Sequence, residues 1–154
     1  MNKNTDLIFL DKNDGIIVIM SDVVQCLQKY RQLTPSSCES AGVIIGERRG
    51  IHLIINDISE PGIGDVHHRF SVDRRGPHHQ AKVFSAFTQS NGRKQYLGEW
   101  HTHPEDRPNP SYIDKKSWTK NLNFNTPMIV IIVGREEFWV GKKTGEKYTK
   151  LIQT

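Results

Sequence analysis

The run Met128–Val133, MIVIIV, is the sequence feature that most restricts how this chain can fold. A strand with one face in water alternates apolar and polar residues, whereas this run is apolar at every position. Such a run is typical of a strand that is buried on both faces of a sheet. A chain of 154 residues is long enough to bury a core of this kind without disulfides or metals. We therefore expect one domain over residues 1–154, built on a central sheet.

The remaining patterns predict strands and helices in irregular alternation. Ser21 is the predicted N-cap of the first helix, Pro77 opens the second, and the turn-rich segment 60–76 holds a short strand near Arg69–Val72. The order favours an α/β or α+β fold in which helices flank one mixed central sheet. The predicted strands are Asp6–Leu10, Ile16–Met20, Ala41–Gly46, Ile51–Ile58, Gln95–Thr102, Met128–Val133, Glu137–Gly141 and Lys147–Ile152. The predicted helices are Asp22–Gln32, Pro77–Gln89 and Ser111–Leu122.

Composition narrows the cellular setting. No stretch approaches the roughly 20 apolar residues of a membrane-spanning helix. The segment MNKNTDLIFLDKND also lacks the long apolar core of a secretion signal. The two cysteines, Cys26 and Cys38, are too few for a disulfide framework. We expect reduced thiols, a cytoplasmic location and no membrane partner.

The net charge of +4 and the sequence pI of about 9.1 raise the question of a nucleic-acid partner. The lysines and arginines are scattered along the chain, which is typical of a solvated basic surface and also suits an acidic protein partner. The zinc-deaminase pattern, His-x-Glu followed by Pro-Cys-x-x-Cys, is absent from the sequence, as is an RNP-like aromatic motif. We therefore expect no nucleic-acid partner.

The segment HTHPEDRPNPSYID, which begins at His101, carries the chemistry. Alternate side chains of a strand share a face about 6.6 Å apart, so His101 and His103 point the same way. Pro104 ends the strand, and Asp114, one turn into the helix that begins at Ser111, can return a carboxylate to the two imidazoles. Three protein ligands with an open fourth position are the pattern of a catalytic zinc. The sequence therefore predicts a Zn²⁺ site.

A zinc hydrolase also needs a carboxylate that takes a proton from water and passes it to the leaving group. Glu39 is one candidate, because it stands at the entrance to the buried strand Ala41–Gly46. The residues alone do not choose between it and Glu60, Glu99 or Glu105.

Both segments resemble those of a known family. HTHPEDRPNPSYID resembles the JAMM motif of the JAB/MPN metallopeptidases, His-x-His-Pro, six residues, Ser, two residues, Asp, and every fixed position is filled. The upstream segment ESAGVIIG, from Glu39 to Gly46, is similar to the glutamate signature of that family. The resemblance extends over about residues 16–140 and implies the JAB/MPN fold.

The resemblance also implies roles for individual residues. His101, His103 and Asp114 would bind zinc, and Glu39 would act first as general base and then as general acid. Ser111 would donate a hydrogen bond to the water and to the developing oxyanion, where a fixed donor has its largest effect. The implied activity is zinc-dependent hydrolysis of an isopeptide or peptide bond beside the C-terminal tail of ubiquitin or a similar protein.

A closer likeness is carried by the RFSVD stretch, the block YLGEWHTHPEDRPNPS and Trp118. These resemble the stand-alone bacterial JAB deconjugases of type II CBASS antiphage operons. The likeness implies that the substrate is a cGAS-like nucleotidyltransferase conjugated through its C-terminus, and that an E1–E2-like fusion is the operon partner. We expect the extended tail to bind as an added strand along an exposed sheet edge.

Two other functions remain open from the sequence. One is a JAB-type protease that processes a ubiquitin-like or sulfur-carrier protein. The other is a non-catalytic MPN scaffold, although scaffolds of that type generally lack the ligand set. Ser111 also has a purely structural alternative, because Ser-x-x-Asp matches a helix capping box.

Other conspicuous residues have simpler interpretations. We expect Glu99 to form a salt bridge rather than to orient a ligand, and we expect Trp100 and Trp118 to pack in the core and against a helix. The pairs His67-His68 and His78-His79 suggest a second metal site, but adjacent residues on a strand point to opposite faces, so His67 and His68 cannot easily bind one ion together. We expect both pairs at the surface or in the substrate groove.

Overall fold

The computed structural model describes residues 5–154, so the start of the predicted domain 1–154 lies outside the described residues. Over this range the chain forms a mixed sheet and three α-helices, which confirms the predicted fold class. The helices are α1 Ser21–Lys29, α2 His78–Gln89 and α3 Tyr112–Asn121. The strands are β1 Leu7–Leu10, β2 Ile16–Ile19, β3 Ala41–Arg49, β4 His52–Ile58, β5 Val66–His67, β6 Val72–Asp73, β7 Gln95–Thr102, β8 Met128–Val133, β9 Phe138–Thr144, β10 Lys147–Lys150 and β11 Ile152–Gln153.

The large sheet has nine strands in the order β10-β9-β8-β7-β3-β4-β2-β1-β11, and β5 and β6 form a separate hairpin. The buried strand β8 runs parallel to β7 and antiparallel to β9. This pairing places the end of β7, where the two histidines lie, inside the sheet rather than at its edge. The two histidines predicted to bind metal therefore lie on a rigid part of the fold, because β7 is paired with a strand on each side.

The run Met128–Val133 is apolar throughout because its two faces belong to two different cores. Ile129, Ile131 and Val133 pack in the cluster that includes Val24 of α1. Met128, Val130 and Ile132 pack with Trp118 and Leu122, at the end of α3. The two helices thus cover opposite faces of the sheet, and α3 covers the face on which the candidate site lies.

A buried lysine fixes the far end of α3. The Nζ of Lys143 donates a hydrogen bond of 2.9 Å to the carbonyl of Leu122 and a second one to the carbonyl of Gly145. A cation that donates to the last carbonyls of a helix satisfies groups that the helix itself leaves unpaired. The C-terminal end of α3, the helix whose first turn contains Asp114, is therefore fixed to β9.

Several predicted boundaries were wrong, including the final strand, which is divided into β10 and β11. Ser21 is the first residue of α1 rather than its N-cap, and its N–H donates to Asp6 Oδ1 at 2.7 Å. The helix ends at Lys29, so Gln32 lies beyond it. β3 continues through Arg49, so the hairpin turns at Gly50, where φ is 61°.

The segment 60–76 contains two short strands, β5 and β6, instead of one strand near residues 69–72. Cys26 and Cys38 are both free. Among residues 5–154, the helices are too short or too polar to pass through a bilayer.

Candidate active site

The structure brings His101, His103 and Asp114 together at the end of β7. The two Nε2 atoms are 3.1 Å apart, and each lies 3.1 Å from one oxygen of the Asp114 carboxylate. Both histidines are buried, at 9% and 7% exposure. Three donor atoms from two separate segments therefore face one point.

Local structure explains how each donor reaches that point. His101 pairs with Ile132 of β8, and the N–H of His103 donates to the carbonyl of Val133 at 3.0 Å. Ser111 is the N-cap of α3 and forms a reciprocal capping box with Asp114. The Asp114 N–H donates to Ser111 Oγ at 3.0 Å, and the Ser111 N–H donates to Asp114 Oδ2 at 2.8 Å. Ser111 thus forms the helix capping box that the Ser-x-x-Asp spacing suggested.

The donor set fits a zinc ion. Zinc bonds imidazole nitrogen at about 2.0–2.1 Å in a tetrahedron, which puts ligand atoms roughly 3.3 Å apart. The observed separations of 3.1 Å are close to that value. Imidazole and carboxylate are both ordinary zinc ligands, and three protein ligands leave a position for water. These residues could therefore hold the ion that the sequence predicts.

Burial and hydrogen bonding shift the pKa values of Asp114 and His103. Burial alone would raise the pKa of the Asp114 carboxyl, but its hydrogen bonds with His101, His103 and the Ser111 N–H hold that pKa well below its ordinary value. Burial lowers the pKa of His103, and its hydrogen bonds to Asp114 and Glu105 outweigh this and raise it. A cation must displace the imidazole proton, so its binding weakens at low pH.

Glu39 lies in the same cleft as the three donors, a cavity of about 720 Å³ that Ser111 and Trp118 also line. Glu39 is buried, at 6% exposure. Burial raises the pKa of the Glu39 carboxyl to about 7; nearby His103 lowers it, and Asp114 and Glu105 raise it further. A carboxyl with a pKa near neutrality can both accept and release a proton at physiological pH.

The other three candidate bases are already engaged in hydrogen bonds with protein groups. Glu60 accepts a hydrogen bond from Tyr30 Oη at 2.7 Å. Glu99 forms a salt bridge with Arg74 and accepts a hydrogen bond from Tyr96 Oη at 3.1 Å, as expected for a structural residue.

Glu105 lies behind His103 of the candidate metal site, a placement that sequence reasoning missed. Its Oε1 accepts from His103 Nδ1 at 2.7 Å, which leaves Nε2 free to face the other donors. A carboxylate that fixes the tautomer of a ligating histidine raises metal affinity. The sequence feature that could have indicated this role is a carboxylate two residues after the second histidine, just beyond Pro104.

Glu105→Ala is expected to weaken zinc binding about 10- to 100-fold, because it removes the hydrogen bond that orients His103. Competition against a chromogenic chelator measures the dissociation constant. Glu136→Ala, an exposed glutamate on the turn before β9, is the matched control and should bind zinc like the wild type. Equal affinities for the two variants would remove Glu105 from the site.

The raised pKa of Glu39 leads to a prediction about the thermal stability of the metal-free protein. The ordinary pKa is 4.5 and the folded-state pKa is about 7, so the folded protein binds more protons than the unfolded chain between these values. The protonated Glu39 carboxyl therefore stabilises the folded state, and this contribution is complete below pH 4.5 and is lost as the pH rises from there through 7. In the presence of chelator, Glu39→Gln should therefore melt at a higher temperature than the wild type at pH 8, and this difference should be largely lost at pH 4. Thermal unfolding at the two pH values tests this, and a pH-independent difference would contradict it.

The predicted placement of His79 was wrong. Its side chain is 1% exposed, with Nδ1 2.6 Å from Ser59 Oγ and Nε2 3.0 Å from both oxygens of Asp65. The Nε2 of its neighbour His78 lies 2.6 Å from the Glu60 carbonyl. Asp65, His78 and His79 are close enough together to suggest a second metal site, but hydrogen bonds already engage all three. We interpret them as a structural network that fixes segment 60–76 against β4 and α2.

His68 is exposed, as expected, whereas its neighbour His67 has a specific contact. The Nδ1 of His67 lies 2.6 Å from the carbonyl of Glu39, and the N–H of Glu39 donates to the carbonyl of His68 at 2.6 Å. Trp100 and Trp118 are buried at 1% and 2% exposure, which confirms their packing roles.

The fold and the site together define a class: an α+β protein with a two-histidine, one-carboxylate donor set and a buried carboxyl in one cleft. The model of a family described as prokaryotic homologs of the JAB domain matches residues 28–142. The chain belongs to this family, and the match includes every candidate site residue.

Curated relatives agree with that assignment. The chain is 54% identical over 149 residues to a protein of Vibrio cholerae serotype O1 named CD-NTase/cGAS isopeptidase, covering 97% of this chain and 96% of the relative. It is 31% identical over 133 residues to a Pseudomonas aeruginosa protein of the same name, covering 84% of each. The resemblance to the bacterial JAB deconjugases is thereby confirmed. A solution structure from Desulfitobacterium hafniense, with a TM-score of 0.56 and 20% identity, covers 82% of this chain and 83% of that one and shares its fold.

Proposed function

We propose that this protein is a zinc-dependent isopeptidase that releases a cGAS-like nucleotidyltransferase (CD-NTase) from molecules joined to its C-terminus. The observation that carries the proposal is the convergence of His101, His103 and Asp114 with Glu39 in one cleft. It is supported by relatives at 54% identity that are named CD-NTase/cGAS isopeptidase. The setting we propose is cytoplasmic antiphage defence, with an E1–E2-like fusion as the enzyme that makes the conjugate.

His101, His103 and Asp114 would hold the zinc ion. When bound, zinc polarises a carbonyl and lowers the pKa of a coordinated water to about 7. Glu39 accepts the proton of the attacking water as the water oxygen bonds to the scissile carbonyl carbon. It then delivers that proton to the leaving nitrogen as the C–N bond breaks. Glu39 is buried in the same cleft as the three donor residues, which places its carboxyl for both steps.

Ser111 has a second role beside its cap. Its Oγ accepts from the Asp114 N–H, so the hydroxyl proton is available for an oxygen in the cleft. A fixed donor of this kind stabilises the negative charge that develops on the carbonyl oxygen.

The cleft suits an extended tail. One wall is α3, from Ser111 to Asn121, and the other includes Val72 and Asp73 of the β5–β6 hairpin. Ten residues of helix span roughly 15 Å, enough for about four residues of extended chain. A tail that pairs with β6 would lie along this cleft as a third strand, with main-chain hydrogen bonds supplying affinity.

The test of substrate class uses two fusions with the same reporter. One joins it to the C-terminus of the CD-NTase from the same genome, and the other to the C-terminus of a ubiquitin-like protein. We expect cleavage after the native C-terminus of the CD-NTase and little cleavage of the ubiquitin-like fusion. The masses of the products measure both. Preferential cleavage of the ubiquitin-like fusion would instead support a processing protease, and no cleavage of either by zinc-loaded protein would support a scaffold.

A further inference from the structure

Gln32 is a buried polar residue in the connection between α1 and Glu39, with 1% exposure. A buried amide is costly unless its donors and its acceptor are all paired. Its Nε2 donates to the carbonyls of Ser37 at 3.2 Å and Arg69 at 2.8 Å, and its Oε1 accepts from Thr102 Oγ1 at 2.8 Å. One side chain therefore links three segments of the chain.

Thr102 completes the link on the other side of Glu39. It is fully buried on β7 between His101 and His103. Its Oγ1 accepts from the Ser40 N–H at 3.0 Å, and its own N–H donates to the Ser40 carbonyl at 2.9 Å.

Glu39 is thus held on both sides by one hydrogen-bonded unit. Gln32 holds the carbonyl of Ser37, two residues before Glu39, and Thr102 holds the amide of Ser40, one residue after it. Gln32 also holds Arg69, in the loop of the hairpin that forms one wall of the cleft. The segment that carries Glu39 is therefore fixed to the strand that carries the two histidines.

We propose that Gln32 and Thr102 are positioning residues that hold the Glu39 carboxyl in register with the metal-site histidines. Their effect on turnover rests on the proposed function, whereas their effect on the backbone at Glu39 does not. A displacement of about 1 Å at a catalytic group can cost 10²-fold in rate, so small losses of order here have large consequences.

The kinetic test compares Thr102→Val, Thr102→Ser and Gln32→Met. Valine keeps the size of threonine without its hydroxyl, and serine keeps the hydroxyl. Thr102→Val and Gln32→Met should lower kcat about 10- to 100-fold at 20 °C, with KM and zinc affinity near the wild-type values. Thr102→Ser should retain most of the activity.

A control variant separates positioning from general stability. The side chain of Asp11 is 4% exposed and forms a salt bridge with Lys142. Asp11 lies in the turn between β1 and β2, beside His52, which pairs with Arg49 at the opposite end of β3 from Glu39. Asp11→Ala should lower the melting temperature and leave kcat unchanged. If Asp11→Ala lowers kcat as much as Thr102→Val, or if Thr102→Val keeps the wild-type kcat, the positioning role is wrong.

Amide hydrogen exchange tests the same role without a substrate. The Glu39 and Ser40 amides should exchange at least about tenfold faster in Thr102→Val and Gln32→Met than in the wild type or Asp11→Ala. Unchanged exchange would overturn the proposal whatever the enzyme cleaves. Faster exchange in a protein that cleaves no conjugate would support the positioning role and reject the proposed function.

Discussion

Glu39→Gln is expected to lower kcat for conjugate cleavage about 10²- to 10⁴-fold, because the amide cannot accept the proton of the attacking water. The substitution keeps the shape of the side chain of this buried residue. Zinc binding should persist, since His101, His103 and Asp114 are untouched. Initial rates with zinc-loaded protein measure the loss, and metal analysis of the same sample measures retention of the ion.

The exposed Glu136→Gln is the matched control and should cleave at the wild-type rate. A Glu39→Gln protein that turns over within a factor of a few of the wild type would remove Glu39 from proton transfer. Glu105, hydrogen-bonded to His103, would then be the next carboxylate to test.

Asp114→Asn is the second change with a large expected effect. The neutral amide is a far weaker zinc ligand than the carboxylate, and Asp114 faces both imidazoles at 3.1 Å. Zinc content should fall from about one ion per chain toward zero after dialysis, and cleavage should fall to background. Atomic emission and the conjugate assay measure the two quantities on one preparation.

Asp106→Asn, an exposed aspartate in the preceding loop, is its control. The capping box with Ser111 is weakened in Asp114→Asn, so circular dichroism must show that α3 persists. A folded Asp114→Asn protein that keeps its zinc and its activity would exclude Asp114 as a ligand.

The central strand and the donor set were predictable because both depend on local patterns. Alternation on a strand places His101 and His103 on one face, and the Ser-x-x-Asp spacing places Asp114 at the first turn of a helix. The apolar run Met128–Val133 likewise reports burial on both faces without reference to the rest of the chain.

The support of Glu39 was not predictable, because it depends on contacts between distant segments. Gln32 bonds Thr102, seventy residues away, and Arg69, thirty-seven residues away. In the sequence Gln32 looks like the last residue of a helix, and nothing near it indicates burial. His79 was misplaced for the same reason, since only the fold brings it to Ser59 and Asp65.

The most direct test of zinc-dependent CD-NTase release measures the masses of the reaction products. The substrate is a CD-NTase joined through its C-terminus to a second molecule, and it is treated with zinc-loaded and with chelated enzyme. We expect that the zinc-loaded enzyme alone releases CD-NTase with its native C-terminal carboxylate, and that restoring zinc to the chelated sample restores the cleavage. Equal cleavage by both samples, or a conjugate that stays intact with zinc bound to the enzyme, would contradict a zinc-dependent isopeptidase that acts on this substrate.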